Sequence, residues 1–212
     1  MVFDKKASIL TLADEELTFI GEEPQHRYLW NPSKSVWVHM EHQNKSNLFS
    51  KVGIGVKTVI FTLRKTSGID LHSAIAYSGQ QYFITDINRD DPMLMVVTTA
   101  DIQPAIFTAR GVEEQEGEYK SAVYVSKQDI RFPACLTEKY LGFKQEAPMA
   151  RTEETFVLVT PKPVLLDVHD IVRPGLPPRD GEDDKRPAYA VKVCHFLDEY
   201  KNEYEITSVG DV

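Results

Sequence analysis

Few side chains in this 212-residue chain have the type and spacing to do chemistry. His39-x-x-His42 has the separation of a metal-ligand pair, and Asp70/His72 and Asp167/His169 have that of an acid–base dyad. A metal needs three or four converging donors. His39 and His42 fall in a strand-like stretch where residues three apart point to opposite faces, and no acidic or Cys partner has a recognisable place. An Asp and a His two apart share a strand face, so a dyad is conceivable; the same pair also closes a polar turn, because Asp hydrogen-bonds to backbone two residues on. Cys135 and Cys194 lack metal-like spacing and read as reduced thiols. No phosphate-cradling glycine loop and no nucleophile elbow occurs. The sequence therefore predicts no catalytic residue, no metal site and no cofactor.

The elements that would position these residues are strands. Thr58–Leu63 is β-branched and aromatic, with Val59, Phe61 and Leu63 on one face. Ala74–Tyr77, the turn Ser78-Gly79 and Tyr82–Ile87 read as a hairpin. A polar break at Asn88–Pro92 precedes a last apolar run, Met93–Thr99. Such clusters usually close into a barrel, which removes exposed edges. Upstream, Ala7–Leu12 predicts a strand and Ala13–Glu16 an acidic turn or one helical turn. Arg27–Trp30 and Val36–Met40 predict two strands joined by a loop, Asn31–Ser35. Glu41–Lys57 reads as a long loop. Downstream, Asp101–Arg110 reads as a strand interrupted by Pro104, Gly111–Lys120 as an acidic linker, Ala122–Val125 as a short strand, Leu136–Leu141 as a helical turn or two, and Lys144–Thr152 as a second link.

Shifted by 97 residues, the central stretch reappears. Thr58-Val59-Ile60-Phe61 meets Thr155-Phe156-Val157-Leu158, and Lys65, Asp70 and His72 meet Lys162, Asp167 and His169. With one residue dropped Gly79 meets Gly175, and beyond an insertion Tyr82-Phe83-Ile84 meets Tyr189-Ala190-Val191. Four of fifteen positions are identical over 58–72, where average composition gives about one. The predicted fold is all-β, two small SH3-like β-barrels in tandem with an internal repeat: residues 1–115, and residues 121–212 with an inserted loop at 175–187.

Three features read as assembly surface. Trp37 lies on the face of its strand opposite Val36, Val38 and Met40. Tyr200 and Tyr204 share one side of a polar strand, an ordinary interface device, although a partly buried structural role is equally open. Gly175–Pro187 (GLPPRDGEDDKRP) replaces a simple turn and reads as an extended, solvated projection carrying Arg179, Asp180, Glu182, Asp183, Asp184, Lys185 and Arg186.

Composition narrows the class of partner. The formal net charge is −8. Lys+Arg against Asp+Glu is 12 against 16 in residues 1–120 and again 12 against 16 in 121–212, so the acidity is not a tail. A tight nucleic-acid binder needs a net basic face. No apolar run reaches the ~20 residues of a membrane span, and the N-terminal stretch has no signal-peptide pattern; the expectation is a soluble protein with no membrane partner.

Residues 36–99 resemble the head–tail joining, or neck connector, proteins of tailed bacteriophages. The resemblance rests on Val36-Trp37-Val38, the glycines Gly53 and Gly55, Phe61-Thr62-Leu63-Arg64-Lys65, Ile75-Ala76-Tyr77-Ser78-Gly79-Gln80-Gln81-Tyr82-Phe83-Ile84, and Asp86-Ile87. It covers about a third of the chain. Members of that family are commonly about half this length, and the second copy departs from their pattern. The resemblance implies a small β-barrel that assembles as a homo-oligomeric ring between portal or adaptor and tail, in the virion neck after assembly in the host cytoplasm. It also implies non-specific passage of DNA through the ring and no enzymatic activity. The alternatives are a monomeric module that adds a peptide strand at an exposed β-edge, and a metal-assisted hydrolase built on His39, His42 and the Asp/His pairs.

Overall fold

A computed structural model describes residues 2–17, 25–43, 58–102, 106–116, 122–138, 155–178 and 183–209. Strands are the only regular elements among them, and two compact units result. The units do not follow a single cut in the sequence. One comprises Met1–Ala13, Trp30–Gln103 and Cys135–Ala150; the other comprises Asp14–Leu29, Pro104–Ala134 and Arg151–Val212.

The first unit holds a closed ring of six strands, β1 (Lys5–Leu17), β2 (Gln25–Gln43), β3 (Thr58–Arg64), β4 (Ala74–Tyr77), β5 (Gln80–Asn88) and β6 (Leu94–Asp101), β1 from Asp14 on and β2 up to Leu29 being counted with the second unit. Neighbours run β1-β4-β5-β6-β3-β2, and β2 pairs back to β1. Every strand of this ring thus has a neighbour on both sides, although β4 covers only Gln80–Phe83 of β5 and Ser8–Leu10 of β1. Alternation supplies the filling: Ala7, Ile9, Val38, Met40, Val59, Phe61, Leu63, Ile75, Tyr82, Ile84, Met95 and Val97 form one buried cluster. Phe61 and Tyr82 meet edge to face at 5.4 Å. Both residues of the Ser78-Gly79 turn have positive φ, 50° and 80°. That is the backbone a two-residue hairpin turn requires, and Tyr77 and Gln80 pair across it.

The second unit pairs β7 (Phe107–Glu116) with β8 (Ala122–Phe132). After β9 (Cys135–Glu138), which falls in the first unit, follow β10 (Thr155–Pro161), β11 (Ile171–Pro174), β12 (Ala188–His195) and β13 (Lys201–Val209). Its neighbour order is β8-β7-β11-β12-β13-β10. In the same unit Arg27 of β2 lies parallel to Arg131 of β8. The core holds Phe107, Leu158, Val164, Leu166, Val172, Val191, Tyr204 and Ile206, each at most 1% exposed.

Each unit uses one pairing scheme. Ala74↔Phe83 and Ile75↔Tyr82 in the first become Ile171↔Ala190 and Val172↔Tyr189 in the second. Thr58↔Ala100 becomes Thr155↔Thr207. Thr85 is the extra residue of a bulge after Ile84, and Lys192 is the extra residue after Val191. Turns recur as well. The Ser73 N–H donates to the Asp70 carbonyl (3.2 Å), and the Asp170 N–H donates to that of Asp167 (3.1 Å). Asp91 Oδ1 accepts from the N–H groups of Met93 and Leu94, as Asp198 Oδ1 does from those of Tyr200 and Lys201.

Several expectations change. Arg27–Trp30 and Val36–Met40 are not two strands: β2 runs unbroken through Asn31–Ser35. Pairing with β1 overrides the turn-forming residues there, and Ser33 Oγ donates to the Ile9 carbonyl at 3.1 Å. For the same reason Ala13–Glu16 continues β1 instead of turning. The acidic stretch read as a linker lies largely on β7, in register with β8 from Phe107↔Phe132 to Glu116↔Ala122. The start of the expected helical turn is strand β9. Most of the loop at 41–57, with Gly53 and Gly55, and the link at 144–152 lie outside the described residues.

Candidate functional site

The Asp70 carboxylate builds a turn, and in the second unit Asp170, not Asp167, supplies the carboxylate. Asp70 Oδ1 accepts from the His72 backbone N–H (3.0 Å) and the Ser73 hydroxyl (2.7 Å), which shapes the entry into β4. In the second unit the Asp167 N–H donates to Asp170 Oδ2 at 2.8 Å, the position that Ser73 Oγ takes toward the Asp70 N–H. Both histidine side chains are exposed. His39 has Nδ1 3.2 Å from the Val2 carbonyl and Nε2 3.1 Å from Glu41, whereas His42 lies on the opposite face of β2. No group of three or more potential ligands gathers among the described residues.

Trp37 sits where its parity put it, 59% exposed, with Val38 and Met40 buried beneath β2. It lines an open cleft of about 530 Å³ with Phe3, Ser35, Val36, Leu63 and the end of β3, Arg64 to Thr66. The floor is apolar and the rim cationic. Arg64 and Lys65 are exposed, and Lys34 Nζ donates to Thr66 Oγ1. Asp91 feels the charge of Lys65: its carboxyl is held below the usual range chiefly by the Met93 and Leu94 N–H groups, with Lys65 adding to it.

Tyr204 is a correction. It is fully buried, its hydroxyl donating to the Val164 carbonyl (2.9 Å) and accepting from the Leu166 N–H (3.1 Å). Asn202 Nδ2 ties down the same segment through the Lys162 and Val164 carbonyls, each at 2.9 Å. Burial pushes the Tyr204 phenol up to about 12, so it stays neutral. The side shared by these residues is the core side, and Tyr204 is unavailable to a partner. Tyr200 is half-buried at the turn before β13.

The inserted loop is also corrected in part. Arg179, Asp180 and Glu182 lie outside the described residues, but the returning leg is pinned to its own unit. The Arg186 guanidinium donates to both carboxylate oxygens of Asp184 (2.9 and 2.7 Å), to Thr108 Oγ1 on β7 (2.9 Å) and to the Gly175 carbonyl (2.7 Å). Arg173 donates to the Arg186 carbonyl at 2.7 Å and approaches Asp184 at 3.5 Å. These contacts hold the Asp184 carboxyl at about 2, the Arg186 hydrogen bond being the largest cause. Asp184 and Arg186 therefore bond at home, while Asp183 and Lys185 are exposed.

Sequence reasoning passed over a second apolar feature. Phe196 is 49% and Leu197 98% exposed at the turn between β12 and β13. Lys162 Nζ donates to the carbonyls of Phe196 and Asp198, and Asp198 caps the following N–H groups, so the tip is held rigidly. Extending the 107-residue offset of β5 and β12 would have exposed it: the first unit has Arg89-Asp90 at these positions.

No protein-family model matches the chain, and neither a curated protein nor a solved structure does. In the described residues no helix is long and apolar enough to cross a membrane.

Proposed function

We propose that the protein is a structural, non-enzymatic component of a tailed-phage neck, assembling as a ring between portal and tail, and that its units are two copies of one small SH3-like barrel. The observation carrying this reading is how the connector-like residues sit in the fold. Val36-Trp37-Val38 is on β2, Phe61-Thr62-Leu63-Arg64 on β3, and Ile75–Ile84 spans the β4–β5 hairpin, all in one closed ring. The fit to the resemblance is therefore one of strand neighbours as well as residue types. An exposed Trp over an apolar cleft supports a binding surface, since aromatic anchors are enriched at interface centres. The net charge of −8 suits a channel through which DNA slides, because a cationic lining would hold the phosphates. Strand addition at a β-edge is less well supported, because every strand of the first ring already has a neighbour on each side over part of its length.

The test is joining in vitro. DNA-filled heads from a phage deleted for this gene should join tails only when the purified protein is added. Joining at the same yield without it would overturn the proposal.

A further inference from the structure

Two surfaces of this chain, one in each unit, are complementary in charge and in apolar character. The cleft of the first unit offers an apolar floor (Phe3, Val36, Leu63), an exposed indole (Trp37) and a basic rim (Arg64, Lys65). The loop tip of the second unit offers Leu197, almost wholly exposed, beside Phe196, half exposed with its ring edge-on to the buried Tyr204 at 6.0 Å, followed directly by the exposed acids Asp198 and Glu199. A leucine almost wholly in water at a tip whose backbone is tied by Lys162 and Asp198 is an expensive arrangement for a free surface. Covering such a side chain takes apolar surface out of water, and a pre-ordered tip loses little entropy on docking.

From this we propose that Phe196-Leu197 of one copy inserts into the Trp37 cleft of the next, with Asp198 and Glu199 set against Arg64 and Lys65. The proposal rests on the ring-forming reading and names its contact. Charge selects the occupant. The cleft rim is a basic spot on an acidic chain, and the tip pairs apolar surface with two acids. Those acids, and the net charge of −8, repel the anionic headgroups that an exposed apolar loop would otherwise meet at a membrane. The contact is heterologous, different patches meeting, which is the kind that propagates into a ring when the rotation closes. Two side chains in one cleft make a weak pairwise contact, so assembly is steeply concentration-dependent and gains its strength from closure.

Sedimentation of the full chain tests this with two variants, Trp37→Asp and Leu197→Asp. Both positions are exposed, and unchanged circular dichroism and melting temperature verify that each variant folds. Wild type should self-associate with rising concentration, and each variant alone should stay monomeric, its apparent Kd raised roughly tenfold or more. Mixed one to one, the variants should form a dimer and nothing larger, because one intact tip and one intact cleft remain. Leu197→Met should assemble like wild type. Variants that associate as well as wild type overturn the contact while leaving ring formation intact. Loss in both variants without dimer in the mixture overturns it in favour of an isologous interface. A wild type that stays monomeric at its highest soluble concentration overturns it as well. Failure of head–tail joining despite normal association would instead count against the neck assignment alone.

Discussion

The two units keep one scheme of strand register and differ in what fills and decorates it. At the position of Val97 in the first unit the second has Tyr204, and at that of Met95 it has Asn202. The first unit closes its core with apolar side chains, and Arg89 reaches across to the Ile69 carbonyl at 2.8 Å. The second replaces that tie with a buried phenol and a buried amide, and the half-exposed Phe196 at the position of Arg89 lies edge to face on the phenol at 6.0 Å. The β4–β5 connection is two residues, whereas the β11–β12 connection is thirteen and needs Arg186, Asp184 and Arg173 to fold its return leg back. Ladder registers and turn caps define the scaffold. Specialisation sits in the side chains that ladder positions carry, as at Tyr204 and Asn202, and in the connections between strands.

Breaking the shared scaffold should have the largest effect. Phe61→Ala and its register equivalent Leu158→Ala each empty a fully buried site, and should cost about 3–5 and about 2–5 kcal/mol respectively. Urea denaturation measures this; a loss below 1 kcal/mol in either would show that its unit is not packed as described. Tyr204→Phe removes a hydroxyl that serves one donor and one acceptor and should cost about 1–3 kcal/mol. Val97, at the corresponding site, has no such bond to lose, so Val97→Ala should show only the ordinary cost of a small cavity and no change in amide exchange at residue 69.

Smaller effects appear as pH dependence. Burial raises the Glu203 carboxyl to about 7, with Asp198 adding to this and His195 opposing it. Between about pH 4.5 and 7 the folded chain keeps a proton that the unfolded chain releases, so this group removes stability as pH rises through that window. Glu203→Gln should flatten the slope there, and an unchanged slope would contradict the burial. Asp184 acts in the opposite sense. Its carboxyl lies at about 2 in the folded protein, so its contribution is complete above the ordinary value of 3.8 and is lost as pH falls toward 2. Asp184→Asn should remove that acid-limb loss, an effect on the order of 1 kcal/mol once solvent screening is counted. An acid limb identical to wild type would show that the pin is idle.

What the sequence made readable is what is local. The strands at 58–63, 74–77 and 82–87 emerge from period-two alternation and the Ser78-Gly79 turn, and the structure gives Thr58–Arg64, Ala74–Tyr77 and Gln80–Asn88. Trp37 was placed outward by parity alone. The unbroken course of β2 was not readable, because Asn31-Pro32-Ser33 carries genuine turn signals that only pairing with β1 overrides. Nor was the β7–β8 hairpin, whose acidic residues follow no apolar alternation and are held by a backbone ladder. Tyr204 illustrates the limit of reading polarity along one strand. A phenol between two glutamates looks like surface until the carbonyl of Val164, forty residues away, is brought to it.

Electron cryomicroscopy of filled heads incubated with the purified protein bears most directly on the claim that this chain builds the neck. The account predicts symmetric ring density at the portal vertex into which the six-stranded unit fits, absent from heads incubated without protein. Portal vertices that look the same with and without the protein would contradict it.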